Sequence, residues 1–140
     1  MNTSKPLSAL VWIVAFLLFI PLTGHCAPLD GTTWKITVTP DESAMKHGEK
    51  PFLDTLIFID GRMTSGAAFR NGFPSAPYTA AAQNGGVTFT AEHKSPKGGQ
   101  AKWSAEARRG IIHGKIFVER LNGVKLSYTF TGALPTKKKK

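Results

Sequence analysis

Cysteine is nearly absent from this chain, because Cys26 is the only one among 140 residues. A domain formed after this position has no disulfide, no cysteine-based metal site and no thiol nucleophile. Acidic side chains are also scarce: 9 Asp and Glu stand against 18 Lys and Arg, a formal net charge of +9. We therefore expect a fold that is stabilised by a hydrophobic core and has a surface that attracts anionic groups.

Motifs for catalysis and metal binding are missing as well. His47, His93 and His113 show no His-x-His or Glu-x-x-His spacing, and a zinc site needs three or four convergent ligands. We interpret these histidines as solvent-exposed or hydrogen-bonded. The chain also has no Gly-x-Ser-x-Gly elbow, no phosphate-binding glycine loop and no aromatic-basic motif for nucleic acid. The sequence thus favours a protein that is not an enzyme, with no metal, no cofactor and no nucleic-acid partner.

One long hydrophobic run is present, and it lies at the N-terminus. Residues 1–5 carry one positive charge, residues 7–22 are almost all apolar, and the small residues Cys26 and Ala27 follow. This order is typical of a secretory signal peptide, and the run is shorter than the about 20 residues that span a bilayer. We predict a cleaved signal-peptide helix over residues 1–27 and a periplasmic or secreted protein. The pattern leaves open whether Cys26 carries a lipid.

The remaining chain has the length of one domain, which we place at residues 28–134. Residues 135–140 end in four consecutive lysines, and we predict a disordered, solvated tail there. The alternative for this tail is a weak attraction to anionic lipid headgroups or envelope polymers.

After residue 27, nearly every segment alternates apolar and polar residues between turns. Trp34, Ile36 and Val38 share one face of the first segment, which is the period of a half-buried strand. The pairs Asp60-Gly61 and Asn122-Gly123 are typical of tight hairpins. We predict eight strands, at residues 32–39, 54–59, 62–68, 75–82, 87–92, 101–108, 111–120 and 124–131.

Short connections between consecutive strands favour a closed sheet over an open one. Eight antiparallel neighbours can pair around a circle, which removes the exposed edges that invite aggregation. We therefore predict an all-β fold, an eight-stranded antiparallel up-and-down (meander) β-barrel, with a two-sheet sandwich as the alternative. The interior of such a barrel is filled by side chains or holds one small ligand.

Two stretches carry a resemblance to known barrels. Residues 29–34 read Leu-Asp-Gly-Thr-Thr-Trp at the start of the first strand, and residues 101–104 read Ala-Lys-Trp-Ser in a late strand. Together with the eight-strand meander, they resemble the calycin group of lipocalin- and avidin-type barrels. The spacing here is Gly-x-x-Trp, one residue longer than the Gly-x-Trp of lipocalins, and no binding residue of the family transfers to this chain. The resemblance implies a barrel that binds a ligand or a protein, and it implies no reaction.

Aromatic side chains on the predicted inner face are the candidate ligand-binding residues: Trp34, Phe58, Phe89, Trp103 and Tyr128. The alternative for them is simple core packing, because aromatic residues dominate small cores. A face of small residues would leave room beside them: Ala101, Ala105, Ala107 and Gly114. The alternative for these is that small residues let a strand approach a bulky neighbour.

These observations lead to two functional hypotheses. The first is an exported, non-catalytic binding protein whose apolar barrel interior takes a small hydrophobic or amphipathic ligand. The second is a solid barrel that binds a protein or an anionic envelope polymer, as exported inhibitor-type barrels do. It would use its basic surface and the polar loop predicted at residues 40–51, the longest in the body. The sequence gives no indication of the oligomeric state.

Overall fold

The computed structural model describes residues 27–135 of the chain. Nearly all of the predicted signal peptide, including Cys26, and the four terminal lysines lie outside these residues. Within the described part, no helix is both long enough and apolar enough to cross a membrane.

Eight strands and two short helices make up the described part. The strands are β1 (Thr32–Pro40), β2 (Phe52–Ile59), β3 (Arg62–Ser65), β4 (Ala76–Gln83), β5 (Gly86–Lys94), β6 (Gln100–Arg108), β7 (Ile111–Glu119) and β8 (Lys125–Ala133). The helices α1 (Glu42–Lys46) and α2 (Gly66–Arg70) lie in the β1–β2 and β3–β4 connections. Each strand pairs antiparallel with the next, and β8 pairs with β1. The predicted up-and-down barrel is confirmed, and the sheet closes on itself instead of forming a sandwich.

The third strand is shorter than predicted. It ends at Ser65 instead of residue 68, because the Ser65 hydroxyl caps α2 by accepting a hydrogen bond from the Ala68 amide at 3.0 Å. The predicted loop at residues 40–51 likewise contains α1, which begins after the N-cap residue Asp41. Both helices are single turns and lack the long apolar period that would have marked them in the sequence.

The two ends of the barrel are built differently. At the end called here the closed end, the hairpin turns have two residues: Asp60-Gly61, Asn84-Gly85 and Arg109-Gly110. All six of these residues have a positive φ, which matches the twist of antiparallel strands. At the opposite end, called here the open end, the connections are longer: residues 41–51, 66–75, 95–99 and 120–124.

The chain entering β1 plugs the closed end. Leu29 is buried in the core, and the Asp30 carboxylate accepts hydrogen bonds from the Gly61 amide at 2.9 and 3.0 Å and from the Tyr78 hydroxyl at 2.8 Å. Burial, followed by the bond to Asp30, raises the pKa of Tyr78 above its ordinary value of 10.0. The Tyr78 ring also packs edge-to-face on Phe58 at 4.9 Å. This end of the barrel is filled by side chains.

Candidate binding site

A cavity of about 510 Å³ lies inside the open end of the barrel. Its inner wall is formed by inward side chains of β6, β7 and β8: Ala101, Trp103, Ile116, Val118 and Tyr128. Its mouth is bordered by residues of all four open-end connections, among them Glu49, Asn71, Lys97 and Arg120. The volume lies in the range of about 300 to 1,000 Å³ that is typical of small-molecule sites.

The structure brings together two of the five predicted ligand-binding residues. Trp103 and Tyr128 line the cavity. Trp34, Phe58 and Phe89 are buried outside its lining, and the rings of Phe58 and Phe89 pack edge-to-face at 5.1 Å. A ligand-binding role for any of the five stays a prediction.

Trp103 is a buried donor in the cavity wall. The side chain is 4% exposed, and its indole Nε1–H has no hydrogen-bond partner in the described part of the chain. Its ring packs edge-to-face against Phe130 at 5.4 Å. By contrast, the Trp34 Nε1–H donates to the Thr32 hydroxyl at 2.9 Å. An unpaired buried N–H costs about 1–3 kcal/mol, so the Trp103 indole favours a hydrogen-bond acceptor beside it.

His93 lies beside Trp103, with the two ring centroids 6.2 Å apart. The imidazole is fully buried, and its Nε2 lies 3.0 Å from the Met63 carbonyl oxygen. A carbonyl only accepts, so Nε2 carries the proton, and Nδ1 presents a lone pair without a partner in residues 27–135. Desolvation lowers the pKa of His93 below 6.5 and keeps the ring neutral near pH 7.

A buried carboxylate, Asp54, holds the wall of the cavity together. It accepts hydrogen bonds from the Ser65 hydroxyl at 2.5 Å and from the amides of Thr55 and Ala67 at 2.7 and 2.8 Å. These bonds join β2 to β3 and to the first turn of α2. Because its oxygens are already engaged, Asp54 acts as a structural anchor for the α2 connection.

Tyr128 and an ion pair also border the cavity. Burial raises the pKa of Tyr128 to about 12, and the nearby Glu49 carboxylate adds to this, so its hydroxyl stays protonated at neutral pH. Glu49 itself pairs with the Arg120 guanidinium and thereby links the β1–β2 connection to the β7–β8 turn. Neither member of this pair is a free charge inside the cavity.

The β1–β2 connection is tied down on β8. The Asp41 amide donates to the Ser127 carbonyl at 3.0 Å, and the Asp41 carboxylate accepts from the Ser127 hydroxyl, from Ser43 at 2.6 Å and from the Ala44 amide at 3.1 Å. The bond from Ser127, followed by those from Ser43 and Ala44, lowers the pKa of Asp41 to about 2. The predicted loop is therefore an ordered flap, with Ala44 fully buried against the core.

The predicted small-residue face divides into two parts. Ala101 lines the cavity, whereas Ala105, Ala107 and Gly114 do not. Gly114 pairs with Ala105, and a Cβ at Gly114 would come within 2.7 Å of the Ala105 Cα. The small residues at this point allow β6 and β7 to approach closely, and the neighbour of Gly114 is Ala105 instead of a bulky residue.

Sequence reasoning missed three polar residues of this region: Asp54, His93 and Lys97. Asp54 alternates with the buried residues Leu56 and Phe58, so a period-two pattern places its carboxylate inside. His93 follows Phe89 and Ala91 on the inner face of β5 in the same way. No such signal marks Lys97, because turn residues have no fixed period.

In residues 27–135, no group of three or more His, Cys, Asp or Glu side chains could hold a metal ion. Comparison of this chain with known protein families, with curated proteins and with solved structures gives no match. The closed eight-stranded barrel is compatible with a calycin-like fold. The geometry of the cavity therefore carries the functional argument.

Proposed function

We propose that this protein is a non-catalytic binding protein that holds a small amphipathic ligand in the cavity at the open end. The observation that carries the proposal is a cavity of about 510 Å³ whose inner wall is mostly apolar and whose mouth carries polar side chains. The apolar wall suits the body of such a ligand, and polar groups at the mouth, such as Asn71 and Lys97, suit its polar end.

The polar groups around the cavity support a ligand-binding role more than a catalytic one. Asp54 is held by three donors, Glu49 is paired with Arg120, and the Tyr128 hydroxyl stays protonated. Each of these groups maintains the wall. The resemblance to calycin barrels agrees with a binding role, and the N-terminal pattern supports export to the periplasm or out of the cell.

The alternative, a solid barrel that contacts a protein or a polymer through residues 40–51, has less support. The barrel contains a cavity at its open end and is therefore not solid.

Two alanines on the inner face of β6 provide a matched test. Ala101 lines the cavity and Ala105 does not. The neutral fluorophore N-phenyl-1-naphthylamine should bind saturably, and Ala101→Leu should weaken its binding at least about ten-fold, a change of 1.4 kcal/mol. Ala105→Leu should leave the affinity unchanged. Circular dichroism and thermal melting verify that both variants are folded.

A second readout comes from the tryptophans of the protein itself. Energy transfer from them to the fluorophore should saturate at one fluorophore per chain and should weaken in the Ala101→Leu variant together with the affinity. Absence of saturable binding, or equal effects of the two alanine substitutions, rejects the proposal. Native mass spectrometry of protein from its own host then identifies a retained ligand.

A further inference from the structure

Large apolar side chains are exposed at the open end of the barrel. Met45 on α1, Leu53 at the start of β2, Phe69 on α2 and Leu121 in the β7–β8 turn are 56%, 78%, 63% and 75% exposed. They come from three of the connections of the open end and from the strand that begins there. Side chains of this size, gathered at one end, are typical of an interaction surface.

Cations accompany these apolar residues. Three of the four have a basic neighbour in the sequence: Met45-Lys46, Phe69-Arg70 and Arg120-Leu121. Lys50 lies in the β1–β2 connection, and Lys97 lies in the β5–β6 connection of the same end. We call the four apolar residues together with these five cations the open-end rim. Long basic side chains that flank apolar ones can place their charge at a polar boundary while the apolar groups enter a nonpolar phase.

The acidic residues of the open-end connections are already engaged. Asp41 caps α1, Glu42 pairs with Lys46 at 2.9 Å, and Glu49 pairs with Arg120. Within the described residues, Lys50, Arg70 and Lys97 form no ion pair. The charge that this end presents to a partner is therefore positive.

The closed end has exposed apolar residues without this charge. Ile59 and Ile111 are 56% and 54% exposed, which is close to the value for Met45. The connections around them carry Asp30 and Asp60 against Arg109. Apolar exposure alone is thus common to both ends, whereas a net positive charge in the connections belongs to the open end.

We propose that the open-end rim docks on an anionic lipid surface, with its apolar side chains entering the interface and Lys50, Arg70 and Lys97 contacting headgroups. The apolar groups project singly from separate connections and are spaced by cations, which suits the mixed polar and apolar boundary of a bilayer. This docking does not require that the cavity hold a ligand, so the two proposals stand or fall separately.

Vesicle co-sedimentation of the chain from residue 28 onwards, without the apolar run of the predicted signal peptide, tests the proposal. The protein should bind vesicles that contain phosphatidylglycerol and bind those of phosphatidylcholine alone much more weakly, with the difference reduced by added salt. The double variant Leu53→Ser with Phe69→Ser, two rim residues that do not line the cavity, should bind at least about ten-fold more weakly. The matched variant Ile59→Ser with Ile111→Ser should bind as the parent does.

Charge reversal gives a second, independent comparison. Lys50→Glu with Arg70→Glu should weaken binding to anionic vesicles, whereas Lys115→Glu, on the outer wall of β7, should have a smaller effect than the rim pair. Replacing residues 137–140 by serine removes the contribution of the terminal lysines. Circular dichroism and thermal melting of every variant separate lost docking from lost fold.

Three outcomes overturn the proposal. The first is no binding to anionic vesicles by the parent chain. The second is binding that disappears with the terminal lysines and ignores the rim. The third is a solution dimer that the rim substitutions dissociate, because the rim would then be an interface between two copies. Loss of vesicle binding in the rim variants, with fluorophore binding in the cavity intact, supports it.

Discussion

His93 should make the stability of this barrel depend on pH well above the range in which carboxyl groups titrate. Its imidazole is buried, and desolvation lowers its pKa below the ordinary 6.5. The unfolded chain therefore takes up a proton at this position before the folded chain does. Because the folded pKa is depressed, the stabilisation is complete above pH 6.5 and is lost as the pH falls towards the folded pKa.

The size of this pH dependence follows from the one proton that His93 takes up in the unfolded chain. A group that is protonated only in the unfolded state lowers the free energy of unfolding by at most about 1.4 kcal/mol per pH unit. Between about pH 7.5 and pH 5 the loss reaches about 2 kcal/mol if folded His93 stays neutral. Asp41 makes the stability depend on pH only in a more acidic range. Its pKa falls from 3.8 to about 2 on folding, so the stabilisation from its carboxylate is lost only as the pH drops through that interval.

Urea unfolding followed by tryptophan fluorescence at these two pH values measures the difference. The parent chain should be less stable at the lower pH, by at most about 2 kcal/mol from this group. His93→Gln keeps an N–H donor for the Met63 carbonyl but cannot titrate, so its loss should be much smaller. His113→Gln, at an exposed position on β7, should behave as the parent does. A His93→Gln protein that retains the full pH-dependent loss refutes the reasoning.

Two further substitutions test the packing that shapes the site. Gly132→Ala should destabilise the fold by about 1–3 kcal/mol in urea unfolding, because its Cβ would overlap the Lys35 carbonyl oxygen and lie 2.7 Å from Ile36 Cγ2. An unchanged midpoint would show that β1 and β8 can separate freely. Asp54→Ala should cost about 3 kcal/mol or more, because it leaves two amides and the Ser65 hydroxyl without their acceptor. Asp54→Asn, which keeps one oxygen, should cost less, and equal losses for the two variants would contradict the anchoring role.

The strands of the barrel could be predicted because their signals are local. Trp34, Ile36 and Val38 alternate with polar neighbours, and all three are buried. The Asp60-Gly61 pair predicted a tight turn, and both residues have positive φ. The Asn122-Gly123 pair also predicted a tight turn, but only Gly123 has a positive φ, and the connection is longer and covers residues 120–124. The two short helices escaped prediction because their capping bonds to Asp41 and Ser65 involve side chains that are equally common in turns.

The candidate site was predicted only in part, as the two tryptophans show. Both lie at inward positions of alternating strands, so the sequence treats them alike. The Trp34 N–H finds the Thr32 hydroxyl two residues away, while the Trp103 N–H lies in the cavity wall and finds no partner in the described residues. A period of two tells which face a residue occupies, and it does not tell how far along the barrel axis the residue lies.

The sequence by itself determined that strands form, where most of them turn and which side chains face inward, because these properties depend on neighbours within a few residues. Only the tertiary structure decided that the barrel closes through β1 and β8, that Leu29 and Asp30 plug one end, and that the other end keeps a cavity. These features depend on the register between strands far apart in the chain. Such register is set by packing and hydrogen bonds across the whole sheet, and no local pattern encodes it.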